Sequence, residues 1–245
     1  MRNSLYGAAV ASCILTLASA GVAAAAPGQG DWSGVYAGAT AGVTFGQTKF
    51  ALPGDANDRL LQDHSNDTAF SGGGLIGFNY QMNDIVVGVE GDITSGQATA
   101  KVTDCTVPDG CFVTTHDSFT TFNRLRGGTT ERARVRLGWA QGPNLFYVAG
   151  GYSAEQTKLD LTGDCFNPGD PTVPLVFKFS RSKNLSGFNI GAGVEHAVDR
   201  HWIGRLEYIY DGFGDQTYRG DGAEWNDRKL SISNNTVRAA IAYKF

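Results

Sequence analysis

The sequence predicts an all-β chain: an eight-stranded antiparallel, up-and-down transmembrane β-barrel with short turns at one end and long loops at the other. Three observations carry this reading. Apolar residues alternate with polar or small ones over successive segments, the period of a strand with one face in an apolar medium. The connections between these segments alternate strictly between short and long. No stretch offers the 18 or so consecutive apolar residues of a membrane helix, whereas a barrel spans with short alternating segments.

The last segment, 235–245, shows the pattern most clearly. Val237, Ala239, Ile241, Tyr243 and Phe245 form one face; Thr236, Arg238, Ala240, Ala242 and Lys244 form the other. Its length matches the roughly 9–11 residues that a tilted strand needs to cross a bilayer. The first segment, 32–48, sets Val35, Ala37, Ala39, Ala41, Val43 and Phe45 against Tyr36, Gly38, Thr40, Gly42, Thr44 and Gly46. The second lies near 70–80 and the third at 85–93, with Ile85, Val87, Val89, Gly91 and Ile93 opposite Val86, Gly88, Glu90 and Asp92. In the fourth, 131–139, Ala133, Val135, Leu137 and Trp139 oppose Arg132, Arg134, Arg136 and Gly138. The fifth, 145–157, has two fairly apolar faces. The sixth, 185–197, and the seventh, 202–210, return to clear alternation around Glu195, Arg205 and Glu207.

Short turns are expected at 81–84, 142–144 and 199–201, and long loops after the first, third, fifth and seventh strands. All short turns then fall at one end of the barrel, as periplasmic turns do, and the long loops at the extracellular end. Ten strands would require the second long loop to cross twice, and its extended pieces lack a clean apolar face.

Glycine accounts for 33 of 245 residues, against a usual share of about 7%. With this aromatic content and alternation, that composition fits a crowded closed sheet. The formal charge of −4 leaves no basic footprint, so no nucleic-acid partner is expected. At the N-terminus, Arg2, an apolar run and an Ala-x-Ala exit describe a secretory signal peptide over 1–25, with the barrel domain at 26–245. Val10-Ala11-Ser12-Cys13 loosely fits a lipobox, but too little apolar sequence precedes the cysteine. The leader implies export, and hence an oxidising compartment. There Cys105 and Cys111, which flank a Pro-Asp-Gly turn, form the expected disulfide, with Cys165 the competing partner for either. The spacing matches no zinc pattern, and neither a metal nor a cofactor is expected.

The charges within the strands fix which face meets lipid. Glu90, Asp92, Arg132, Arg134, Arg136, Glu195, Arg205, Glu207 and Arg238 all lie opposite the apolar sets. An arginine facing mid-membrane lipid costs about 2–4 kcal/mol, so these nine must face the lumen. Five arginines and four carboxylates sum to +1, and the cluster is expected to pair internally. Eight strands enclose a space that side chains just fill, which favours packing over a charged ion filter. Glycines 38, 42, 46, 191 and 193 either make room for the arginines or leave a narrow watery gap. Trp32, Trp139, Tyr147, Trp202, Tyr208, Tyr210 and Tyr243 are expected in interfacial aromatic girdles.

For catalysis, the four histidines His64, His116, His196 and His201 form no constellation with a nucleophile. Asp63-His64-Ser65 is a loop tripeptide, and no enzyme is expected. Phe166, Trp225 and the run 175–179 offer apolar surface to a loop ligand, or, for 175–179, an extension of the fifth–sixth hairpin.

Several short motifs carry a family resemblance: Trp32-Ser-Gly-Val-Tyr-Ala-Gly, Gly88-Val-Glu-Gly-Asp92, Gly191-Ala-Gly-Val-Glu195, Arg205-Leu-Glu-Tyr-Ile-Tyr210 and the ending Val237-Arg-Ala…Tyr-Lys-Phe245. In this order the chain resembles the alphaproteobacterial outer-membrane β-barrel surface proteins described as porin-family or opacity-like and related to the OmpA barrel. The resemblance implies an outer-membrane location and a role in envelope integrity or surface interaction, with pore and haem-binding activities as alternatives. It also implies three partners: outer-membrane lipid and lipopolysaccharide, the barrel-assembly machinery, and a host or surface ligand at the loops. Ile241, Tyr243 and Phe245 match the assembly signal of such a final strand. The chain ends on that strand, so no wall-anchoring domain is expected after it.

Overall fold

A computed structural model of the chain describes residues 30–51, 63–96, 99–105, 119–167, 170–219 and 228–245. The proposed leader, Cys111 and His116 lie outside the described residues, and with them the signal-peptide and disulfide expectations.

Nine strand segments form one antiparallel sheet: β1 (Gly34–Ala51), β2 (Asp63–Met82), β3 (Ile85–Ser95), β4 (Thr99–Cys105), β5 (Phe119–Gln141), β6 (Asn144–Asn167), β7 (Asp170–Ala197), β8 (Trp202–Tyr218) and β9 (Arg228–Lys244). The order is β3-β2-β1-β9-β8-β7-β6-β5-β4, and a β3–β5 pairing closes it. β3 and β4 are successive pieces of one strand, since β3 pairs β5 at Thr129–Trp139 and β4 pairs it at Thr120–Arg126. The ring is therefore eight-stranded, and the ten-strand alternative does not apply. First and last strands meet directly, Tyr36 opposite Lys244 and Gly42 opposite Arg238, so no edge is left in the membrane region.

The tight turns fall as expected. Asn83 (φ 55°) and Gly142 (φ 58°) supply the left-handed residues that close the β2–β3 and β5–β6 hairpins. In the β7–β8 turn, Asp199 Oδ1 accepts from the amides of His201 (2.7 Å) and Trp202 (2.8 Å). These two donors hold the Asp199 carboxyl below the usual carboxylate range.

The strands run well beyond the expected segments. Most of the loop expected after the fifth strand is the upper part of the β6–β7 hairpin, with Leu161 opposite Phe179 and Cys165 opposite Leu175. The run 175–179 thus extends the fifth–sixth hairpin, as the second of its two expected readings had it. β5 begins twelve residues before the expected 131, at Phe119. The cause is the change of medium: above the bilayer the outer face meets water, so strand there no longer shows outward apolar residues.

In this upper region the ring divides into two four-stranded sheets. One is β2-β1-β9-β8; the other is β4-β5-β6-β7. The β7–β8 ladder stops at Phe188 opposite Gly212, and the β2–β3 ladder stops at Gly72 opposite Ser95. Side chains close the two seams. Ser65 Oγ accepts from the Lys101 amide (3.3 Å) and Asp67 from the Thr99 amide. Across the other seam, Lys183 Nζ donates to the Thr217 carbonyl at 3.0 Å. Between the sheets lies an apolar cluster of Ala100, Leu125, Leu159, Leu161, Leu185, Phe213, Tyr218, Leu230 and Ile232.

Two bulges set up this arrangement. One extra residue between Gly127 and Thr130 on β5 turns Leu125 inward and Arg124 and Arg126 outward. On β8 the shift between Gly212 and Gly214, with Gly214 at φ +63°, changes the inward set from the odd positions that end at Phe213 to the even position Tyr218, and both side chains join the cluster.

Candidate functional site

The outer wall is a belt of exposed apolar side chains, among them Ile76, Val89, Val135, Leu137, Val148, Phe188, Ile190 and Ile241. A depression of about 670 Å³ on this wall is lined by Val35, Ile76, Phe78, Val89 and Val135 with neighbouring residues. At the end with the tight turns, Trp139 stacks on Phe146 (6.4 Å), and Tyr243 meets Trp202 edge-on (5.3 Å) and Phe245 (5.2 Å). These form the expected interfacial girdle, and Ile241, Tyr243 and Phe245 all face outward.

Two aromatics expected there are inside instead. Trp32 is buried at the base of the lumen with Tyr36, Leu75, Val86, Leu145 and Ile203. Tyr147 is buried under Arg136, whose Cζ stands 4.0 Å from the ring centroid. Register decides Tyr147: it lies opposite Gly193 and Gly138, whose missing side chains leave the space. A Cβ at Gly193 would come within 2.6 Å of Tyr147 Oη. The glycine therefore accommodates a side chain and leaves no watery gap at this point.

All nine charged residues expected in the lumen are there and buried. They stack in layers from the turn end upward. In the lowest, Tyr36 Oη donates to Glu90 Oε2 (2.8 Å), and Arg136 donates to Tyr36 Oη and to Glu195 Oε1 (2.6 Å). Arg205 bridges the same two carboxylates, Glu90 at 2.7 Å and Glu195 at 2.6 Å. In the next, Glu207 accepts from Arg134 (2.8 Å) and Arg238 (2.9 Å), Arg238 reaches Asp92 (2.8 Å), and Arg134 also pairs with Glu90.

The third layer contains a residue that sequence reasoning missed. Arg132 forks onto Asp211, Nε to Oδ1 at 2.8 Å and Nη2 to Oδ2 at 2.7 Å, while its Nη1 reaches Asp92 at 3.0 Å. Ser153 and Asn189 complete the layer, Ser153 Oγ donating to Asp211 (2.7 Å) and Asn189 Nδ2 to Ser153 (3.0 Å). Asp211 lies one residue past the expected seventh segment, 202–210, and belongs to β8. With it, five arginines meet five carboxylates, and the expected sum of +1 becomes zero in these three layers. Above them Glu155 accepts from Asn234 Nδ2 at 2.8 Å, and Thr44 meets Thr236 at 3.0 Å. A cavity of about 20 Å³ beside Glu155, Thr157 and Asn234 has room for a water molecule. The apolar cluster between the two sheets then covers the stack.

Buried ion pairs of this kind repay desolvation only when their hydrogen bonds are nearly complete. Here each carboxylate of the three layers has at least two donors and the arginine forks span neighbouring layers, while the Nε atoms of Arg134, Arg136 and Arg205 are buried without a hydrogen-bond partner. Chemically, the arrangement is a neutral, cross-linked plug.

Of the histidines, His196 Nδ1 lies 2.9 Å from Asn144 Oδ1, and His201 stacks on Tyr243 at 5.3 Å, both at the turn end. Among the described residues no group of three or more His, Cys, Asp or Glu is arranged to hold a metal ion. Cys105 lies opposite Thr120 and Cys165 opposite Phe119 in the strand register.

The chain matches the family model described as "Outer membrane protein beta-barrel domain" over residues 13–245. It is 28% identical over 221 residues to the 31 kDa outer-membrane immunogenic protein of Brucella melitensis biotype 1, covering 87% of this chain and 84% of that protein. It is 26% identical over 217 residues to the 22 kDa outer membrane protein of Rhizobium leguminosarum bv. viciae, covering 88% and 79% respectively. Among solved structures, the chain matches the outer membrane protein OprG of Pseudomonas aeruginosa at a TM-score of 0.49 and 11% identity, over 89% of this chain and 98% of that one. An eight-stranded ring with an apolar outer belt and a charged interior, together with a family match across nearly the whole sequence, locates the chain in the bacterial outer membrane. It belongs to the outer-membrane β-barrel domain family.

Proposed function

We propose that this protein is a closed, structural barrel of the outer membrane that acts through its wall and its extracellular end: an envelope-integrity and surface-interaction protein. The observation that carries this reading is the filled lumen. The three ion-paired layers lie between an apolar base around Trp32, Leu75 and Leu145 and an apolar lid around Leu159, Leu161 and Leu230. A narrow solute channel, the alternative drawn from the sequence, would need a continuous polar path through both apolar layers. The relatives named as outer-membrane immunogenic proteins support a surface-exposed role. On this reading the protein is not an enzyme and holds no haem, and Ile241, Tyr243 and Phe245 serve the barrel-assembly machinery as the recognition face of the final strand.

Single-channel recording in a planar bilayer tests the proposal. The refolded protein, shown to be folded by heat-modifiable migration, is expected to give no stable conductance steps. Stable wild-type steps that grow in Arg134→Ala and Arg136→Ala would overturn it in favour of a pore lined by those arginines.

A further inference from the structure

Above the apolar belt, the two sheets differ in the charge on their outer faces. On the β4–β7 sheet, Lys101, Arg124, Arg126 and Lys158 point outward and are exposed. Lys101 lies directly opposite Arg124, and Arg126 directly opposite Lys158. Asp160 lies within this group, 2.9 Å from Arg126 and 3.9 Å from Lys158. Glu131 stands lower, at the edge of the belt opposite Ile93 and Ala154. The other sheet has the outward cations Lys49 and Lys229, and Lys229 is paired with Asp215 at 3.2 Å.

Like charges placed directly opposite one another across strands repel. Four cations around one carboxylate therefore form a site that favours an external anion. Its height is set by the strand. Tyr152 is an outward aromatic of the belt on β6 and Lys158 lies six residues further on, about 15 Å up a tilted strand. Below the cations the same strands present Val135, Leu137, Val148, Tyr152 and Phe188 to lipid. One continuous face thus offers apolar wall below and concentrated positive charge above.

We propose that Lys101, Arg124, Arg126 and Lys158 bind the phosphorylated headgroup of an outer-leaflet glycolipid, lipopolysaccharide, whose acyl chains lie along the wall of β5, β6 and β7. The length of the face and its division into apolar and cationic parts match an anchored amphiphile better than a soluble anion. The inference rests on the outer-membrane location and is independent of whether the lumen conducts.

The test is a titration of the purified protein in glycolipid-free micelles with rough lipopolysaccharide and with the same glycolipid after dephosphorylation. The variants are Arg124→Gln/Arg126→Gln/Lys158→Gln, the charge-keeping Lys101→Arg/Lys158→Arg, and Lys49→Gln/Lys229→Gln on the opposite sheet. Heat-modifiable migration reports folding for each. The triple variant is expected to bind the phosphorylated glycolipid on the order of a hundredfold more weakly. The charge-keeping and opposite-sheet variants are expected to stay within about threefold of wild type, and wild-type affinity to fall as salt rises. Equal binding by the folded triple variant would overturn the proposal, as would equal binding of the dephosphorylated glycolipid. So would an equal loss in the opposite-sheet variant, or preference for a soluble sulfated polysaccharide over the glycolipid. Should the triple variant not fold, Arg124→Gln/Lys158→Gln replaces it, with the same outcomes deciding.

Discussion

Arg132 and Asp211, 79 residues apart in sequence, meet inside the barrel as a two-pronged fork, with bonds of 2.8 and 2.7 Å and side chains 3% and 0% exposed. The fork ties β5 to β8 across the lumen, where no ladder joins them. Removing one partner leaves a buried charge with too few counter-charges. Arg132→Ala is expected to destabilise the barrel by about 3–5 kcal/mol. Asp211→Asn is expected to cost less, because the amide still accepts one bond. Urea unfolding of the refolded protein in lipid vesicles, followed by tryptophan fluorescence, measures both.

Gly193 and Tyr147 are matched in shape. A methyl group at Gly193 would press on Tyr147 Oη and on the Leu206 carbonyl. Gly193→Ala is therefore expected to cost about 1–3 kcal/mol through overpacking. In the Tyr147→Leu background the same change is expected to cost less, and a double-mutant cycle on unfolding free energies isolates the coupling.

The apolar cluster between the upper sheets is separable from the membrane ring. Leu159→Ala is expected to remove about 2–5 kcal/mol of packing, and to do so locally. Hydrogen exchange should accelerate at the upper ends of β6, β7 and β9. Amides level with Val135 and Ile190 should stay as protected as in wild type.

The Asp199 turn predicts a local pH dependence. Its carboxyl is held low by the His201 and Trp202 amides, so the folded turn favours the ionised form. The stabilisation is present above the ordinary carboxylate pKa and is lost as pH falls through the lowered, folded-state value. Protection of the two amides, corrected for intrinsic exchange, should therefore drop in acid. In Asp199→Asn that pH dependence should disappear.

Much of this was legible in the sequence because lipid imposes a strict rule on one face. Arg132, Arg134 and Arg136 alternate with Ala133, Val135 and Leu137, so once the apolar set faces lipid the arginines have one place to go. Where that rule lapses, legibility lapses too. Asp211 follows Tyr210 but precedes Gly212, Phe213 and Gly214, where two side chains are missing and a bulge shifts the phase. Tyr147 lies in a strand whose alternate sets are both apolar, so residues elsewhere, Gly193 and Arg136, determine its side. The upper strands look like loops in the sequence because water outside and Leu159, Leu161 and Leu185 inside leave only a sparse apolar trace.

The bulge between Gly127 and Thr130 acts as a reading-frame shift within a single strand. Below it, even-numbered positions look into the barrel, so Arg132, Arg134 and Arg136 belong to the interior network. Above it, even-numbered positions look out, so Arg124 and Arg126 belong to the surface. Deleting one residue at this point would return the whole strand to one frame. Leu125 would then face water, and two more arginines would enter an interior whose three ion-paired layers already match five arginines with five carboxylates. One added residue thus lets β5 serve two solvents and keeps its two sets of arginines in separate roles.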